Sequence, residues 1–125
     1  MKKVKVLIVD DALLARYVIK NHLAKYDIFN VVGEASNGEE AISKFKKLDP
    51  DLVTMDLDMP VKGGAEAIEE ILKIKTNANI VVISAMEQKY MVEEAENKGA
   101  KMFIKKPIDE EDIKKLVDSL KSGYP

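Results

Sequence analysis

Four short stretches carry side chains that could do chemistry. They are IVDD with Asp10 and Asp11, TMDLDMP with Asp56 and Asp58, ISA with Ser84, and IKKP with Lys106. A carboxylate at the end of an apolar run such as DLVTM is not buried idly, because removing an unpaired charge from water is very costly. Each residue also has an ordinary reading. Asp10 and Asp11 could cap the helix that follows them. Ser84 could cap another helix, and Lys106 before Pro107 could be a solvated loop residue. The single histidine, His22, reads as half-buried on the first helix, with no catalytic role.

The elements that must position these residues alternate. Val4 to Val9, Asn30 to Ala35, Asp51 to Met55, Asn79 to Ser84 and Lys101 to Ile104 are short apolar runs that read as buried strands. Between and after them lie amphipathic segments. Leu13 to Lys25 repeats apolar residues (Leu13, Leu14, Tyr17, Val18, Leu23) at helical spacing. Asn37 opens NGEEAISKFKKL, with acids in the first turn and lysines in the last, as the helix dipole favours. Gly63 and Gly64 open AEAIEEILKIK, Glu87 to Lys98 is stopped by Gly99, and Asp109 to Lys121 closes the chain. Strict alternation implies parallel strands, right-handed crossovers and helices on both faces: an α/β, doubly wound, three-layered fold.

In an open parallel sheet, ligands bind beyond the carboxyl ends of the strands. There the first strand delivers Asp10 and Asp11, the third Asp56 and Asp58, the fourth Ser84, and the fifth Lys105 and Lys106. The second strand delivers only Ser36 and a turn, which suits an edge. Independent caps have no reason to gather like charges, and clustered carboxylates repel unless a cation joins them. The cation best suited is Mg²⁺, a hard ion that takes carboxylates, waters and a phosphate. With no cysteine and one histidine, zinc is a poor candidate. Mg²⁺ beside a carboxylate, a hydroxyl and a lysine outlines a phosphoryl-transfer site, with a carboxylate as nucleophile.

These motifs, IVDD, MDLDMP, ISA and GAKMFIKKP in this order, resemble the receiver domain of two-component response regulators, from Val4 to about Leu120. The resemblance implies the CheY-like, flavodoxin-like strand order 2-1-3-4-5. It implies that Asp56 accepts the phosphoryl group. Asp11 and Asp56 would ligate Mg²⁺ with the backbone carbonyl of Asp58, while Asp10 orients metal-bound water. Ser84 would bond the arriving phosphoryl oxygens, and Lys106 would pair with Asp56 and then with the phosphoryl group. Phe103 matches the aromatic switch position, and Pro107 a proline preceded by a cis bond. Three departures stand out. Gly63 replaces a frequent Asp and predicts a looser loop, Asp58 adds a carboxylate, and Met86 could shield the phosphoryl group from water.

The implied partners are a sensor histidine kinase (CheA-like), a motor-switch or adaptor protein on the face of the fourth helix, fifth strand and fifth helix, and a phosphatase. A phosphorelay intermediate is the alternative within the class. The phosphoryl group would be received and shed by the chain itself, so it is a switch rather than an enzyme acting on other substrates. The 125 residues suit one domain, 1–125, expected as a monomer. A net charge of −2 offers no field for nucleic acid. No stretch approaches the apolar length of a membrane span, and the absence of cysteine fits a cytoplasmic setting. Two rivals are weighed. Asp56-Leu57-Asp58 resembles the DxD of haloacid-dehalogenase-like phosphatases, but it stands on the third strand and Pro60 follows where Thr or Val is usual. A flavodoxin-like FMN carrier would need a phosphate-cradling loop where this chain has DDALLAR.

Overall fold

The computed structural model describes residues 3–85 and 89–123. Five strands and five helices alternate along them: β1 (Val4–Val9), α1 (Leu13–Leu23), β2 (Phe29–Ala35), α2 (Gly38–Leu48), β3 (Leu52–Met55), α3 (Gly64–Ile74), β4 (Asn79–Ser84), α4 (Lys89–Lys98), β5 (Met102–Lys105) and α5 (Glu110–Gly123). All strand pairs are parallel, in the order β2-β1-β3-β4-β5, with β2 at an edge. Met86 lies outside the described residues, and so does the expected start of the fourth helix at Glu87.

Alternation along each strand splits the core in two. Leu7, Val9, Val53, Met55, Ile80 and Val82 face α2, α3 and α4, meeting Ala41, Phe45, Ile68, Ile71 and Ala95. Val6, Ile8, Leu52, Val81, Ile83 and Ile104 face α1 and α5, meeting Ile19, Leu23, Ile113, Leu116 and Val117. The central strands are buried on both faces, which is why they read as unbroken apolar runs rather than alternating ones.

Local chemistry sets several helix ends. Asn37 Oδ1 accepts from the Glu40 backbone N–H at 2.9 Å at the start of α2. At α5, Asp109 and Asp112 cap each other reciprocally, at 2.9 and 3.1 Å. Gly99 ends α4 at φ +118°, where a Cβ would lie 2.3 Å from Leu72 Cδ1.

Two sequence expectations change. The first turn of α1 does not bury its apolar residues: Leu13, Leu14 and Tyr17 are exposed, at 71%, 73% and 58%, and the helix packs through Ile19 and Leu23. Its N-cap is Ala12, with no side-chain cap. The loop before α3, where Gly63 predicted slack, is bridged on both sides of that glycine. Lys62 C=O accepts from Gly38 N–H at 2.9 Å, Gly64 N–H reaches Leu57 O at 3.1 Å, and Lys62 Nζ pairs with Glu39 at 2.8 Å and with Glu70. One lysine between two carboxylates thus ties α2 to α3. The same loop holds Val61, exposed, at φ +68°, a costly backbone for a β-branched residue.

Candidate functional site

Asp10 follows β1 and Asp56 follows β3, adjacent paired strands, and the Asp56 N–H donates to Val9 O at 3.0 Å. The register therefore brings the two carboxylates together. Both are buried, Asp10 at 1% and Asp56 at 5% exposure, while Asp11 is exposed. Carboxylate oxygens of Asp10, Asp11 and Asp56 all lie within 4.8 Å of one another. Ser84 ends β4, buried, and its backbone carbonyl accepts from Lys106 N–H at 3.0 Å. That bond sets Lys106 at the mouth of the cluster. The peptide before Pro107 is cis.

Lys106 is closer to Asp10 than the resemblance implies. Its Nζ lies 2.6 Å from Asp10 Oδ2 and 3.8 Å from Asp56 Oδ1. Asp10 keeps its remaining oxygen on the Ala12 N–H at 3.0 Å. Asp56 is thus the less compensated of the two buried acids. Burial, and then the charge of Asp10, push its carboxyl up to about 6, against the lowering pull of Lys106 and of the Ser84 hydroxyl. A cation among the three carboxylates would remove that strain. The donor set is all oxygen, one side is open through Asp11, and such a site fits Mg²⁺ rather than a softer ion.

The close packing beneath Asp56 depends on a missing side chain. A Cβ on Gly64 would stand 2.2 Å from Asp56 O and 2.8 Å from Leu57 Cα. Only glycine allows the first turn of α3 to press against the Asp56 backbone.

The other expected residues divide. Phe103 is half-buried against the α2–α3–α4 side of the core, on the same sheet face as Ser84 by strand alternation. The Asp58 side chain is exposed and falls outside the three-carboxylate group. His22 is half-buried on α1, away from the cluster. Arg16 was not singled out by sequence reasoning. Its Nη1 donates to the Asp10 carbonyl at 2.7 Å and its Nε to Glu34 Oε1 at 2.9 Å. The available signal was a lone arginine one and a half turns after two acids, a weak one in a helix that also carries Lys20. Also unforeseen is an apolar groove of about 530 Å³, lined by Leu14, Val18, Ile83, Ala85, Pro107 and Ile108 and reaching Lys106. No described helix is long and apolar enough to cross a membrane.

Comparison with known proteins gives the same outline. The model of the response regulator receiver domain matches residues 6–118. A chemotaxis protein CheY of Thermotoga maritima is 53% identical over 104 residues, covering 83% of this chain and 86% of that protein. A chemotaxis protein CheY of Bacillus subtilis is 45% identical over 114 residues, covering 91% and 94%. Among solved structures, the CheX–CheY–BeF3–Mg complex of Borrelia burgdorferi superposes with a TM-score of 0.88 at 33% identity, covering 95% of this chain and 90% of that one.

Proposed function

We infer what the chain does from its family: it belongs to the response regulator receiver domains and is closely related to the CheY chemotaxis regulators. Its function is that of a phosphoacceptor switch. Within that role we assign Asp56 as the acceptor. One oxygen of the ionised Asp56 carboxylate bonds the phosphorus while the donor's P–N bond breaks; the bonding pair leaves with the imidazole of a sensor histidine kinase, which takes its proton from water. The observation that carries the assignment is the incompletely compensated burial of Asp56 among two further aspartates and Lys106. Asp11 and Asp56 would hold Mg²⁺, with Asp10 orienting its water and Asp58 lending a backbone carbonyl. When bound, the ion neutralises the acids and the phosphoryl oxygens. Lys106 supplies a second positive charge and Ser84 a hydrogen-bond donor.

The product carries roughly two negative charges and three strong acceptor oxygens. Ser84 turns to one of them, Phe103 moves into the space released, and the face of α4, β5 and α5 changes shape. Tyr90 on α4 is exposed, at 68%. A motor-side adaptor in chemotaxis is the reading the CheY likeness favours, with a phosphorelay partner as the alternative. We assign kinase docking to the apolar groove that reaches Lys106. A separate phosphatase would act at the same carboxylate. The phosphatase reading of Asp56-Leu57-Asp58 has no support from the family, and neither has the FMN carrier.

Intact mass after incubation with acetyl phosphate, with and without Mg²⁺, tests the assignment. A single phosphoryl adduct that needs Mg²⁺ and is lost in Asp56→Asn is expected. An adduct that persists in Asp56→Asn would place the acceptor elsewhere.

A further inference from the structure

Every polar group of Asp10 is tied. Its N–H donates to Ala35 O at 3.0 Å, Oδ1 accepts from Ala12 N–H at 3.0 Å, and Oδ2 accepts from Lys106 at 2.6 Å. The carbonyl oxygen is taken by Arg16 Nη1 at 2.7 Å. Arg16 is in turn held from β2, by Glu34 Oε1 at 2.9 Å, and Glu34 Oε2 takes Lys20 Nζ at 2.6 Å. The side chain of Arg16 is only 15% exposed. Glu34 neighbours Ala35, the residue that receives the Asp10 N–H. A chain of contacts thus runs from the edge strand through the guanidinium to one peptide group, the one joining Asp10 to Asp11.

We propose that Arg16 is a positioning residue for the cation site. A peptide group is planar, so holding the Asp10 oxygen from one side fixes the N and Cα of Asp11 as well. Asp11 is the exposed member of the three-carboxylate group, and among the described residues no side-chain hydrogen bond or ion pair holds it. The direction of its carboxylate is therefore set through the backbone that Arg16 grips. The guanidinium suits this task because its planar fork aims separate N–H groups at Glu34 and the carbonyl, whereas an ammonium is a point charge on a flexible stem. The inference rests on reading Asp10, Asp11 and Asp56 as a Mg²⁺ site.

The test turns on a sign. Arg16 is a positive charge beside a cation site. If it acted only through charge, Arg16→Met would tighten Mg²⁺ binding. If it positions Asp11, the same change loosens binding, by about tenfold or more, the usual cost of losing such a support. Titration calorimetry of the full chain with Mg²⁺ reads the difference without any phosphoryl transfer. Arg16→Lys, which keeps the charge and loses the fork, should also loosen binding. Glu34→Gln should loosen it in the parent background and change little in the Arg16→Met background, because it acts through Arg16. Urea unfolding of each variant separates loosened binding from loss of fold, and Glu34→Gln carries the test if Arg16→Met does not fold. Binding by Arg16→Met as tight as the parent's, or tighter, overturns the proposal. A parent chain that binds no Mg²⁺ removes the site reading and the proposal with it.

Discussion

Neutralising Asp56 should stabilise the metal-free fold, and the gain should depend on pH in a defined direction. The Asp56 carboxyl is raised from 3.8 to about 6, first by burial and then by Asp10. A carboxyl raised in the folded state binds its proton there more tightly than in the unfolded chain. Folding is therefore favoured when Asp56 is protonated and penalised when it is ionised. The penalty is absent below about pH 4, grows between pH 4 and 6, and is complete above. Converting the shift at 1.36 kcal/mol per pH unit gives a penalty of about 3 kcal/mol at pH 7.5. Asp56→Asn keeps the shape and an acceptor for the Ser84 hydroxyl and removes the charge. In EDTA at pH 7.5 it should raise the stability by about 2–3 kcal/mol, or roughly 8–12 °C in Tm for a chain of this size. The gain should shrink steadily as pH falls from 6 to 4. Urea unfolding followed by circular dichroism at half-unit pH steps measures it. Mg²⁺ should narrow the difference from the parent's side, because an ion that binds the folded parent stabilises it. A variant less stable than the parent at pH 7.5, or a gain that does not change between pH 7.5 and 4.5, would refute the reasoning.

Lys106→Met leaves two buried carboxylates without their cation and should cost about 2–3 kcal/mol at pH 7, less at pH 5, in the same urea assay. Thr54 is buried with a hydroxyl that has no hydrogen-bond partner, so Thr54→Val should stabilise by about 1 kcal/mol at every pH. Val61→Gly relieves a β-branched residue at φ +68° and should move the urea midpoint up, by about 1 kcal/mol in stability. Gly64→Ala, though alanine favours helices, should destabilise by about 2 kcal/mol or more and slow phosphorylation by acetyl phosphate, because its Cβ would displace Asp56 O, 2.2 Å away.

The fold was legible because its signals were local and consistent. Central strands buried on both faces leave unbroken apolar runs, and α2, α3 and α5 carry acids in the first turn and lysine in the last. The site was legible because parallel strands deliver their carboxyl ends to one edge, so reading the residue after each strand collected Asp10, Asp56, Ser84 and Lys106. What was not legible depended on distances that no sequence period encodes. Leu13, Leu14, Tyr17 and Val18 keep helical spacing, but α1 meets the sheet through Ile19 and Leu23, so its first turn stays in solvent. Gly63 looked like slack, yet Lys62 binds both α2 and α3 across it. The preference of Lys106 for Asp10 over Asp56 is a matter of 2.6 against 3.8 Å.

That last difference bears on how the switch is set. A lysine shared equally would satisfy both acids and leave the metal-free site settled. Here Asp10 takes the Ala12 N–H, the Lys106 ammonium and, through its carbonyl, Arg16. Asp56 is left with burial that raises its carboxyl and with the more distant ammonium. The strain is thus concentrated on Asp56, the carboxylate proposed to react, while Asp10 beside it keeps its partners. A buried nucleophile with an incomplete set of partners gains more from an arriving cation and phosphoryl group than a satisfied one would. The same feature predicts that stability and responsiveness trade against each other at this position. Changes that satisfy Asp56 in the metal-free state, by neutralising it or by drawing Lys106 nearer, should raise Tm and lower the free energy gained on binding Mg²⁺ by comparable amounts.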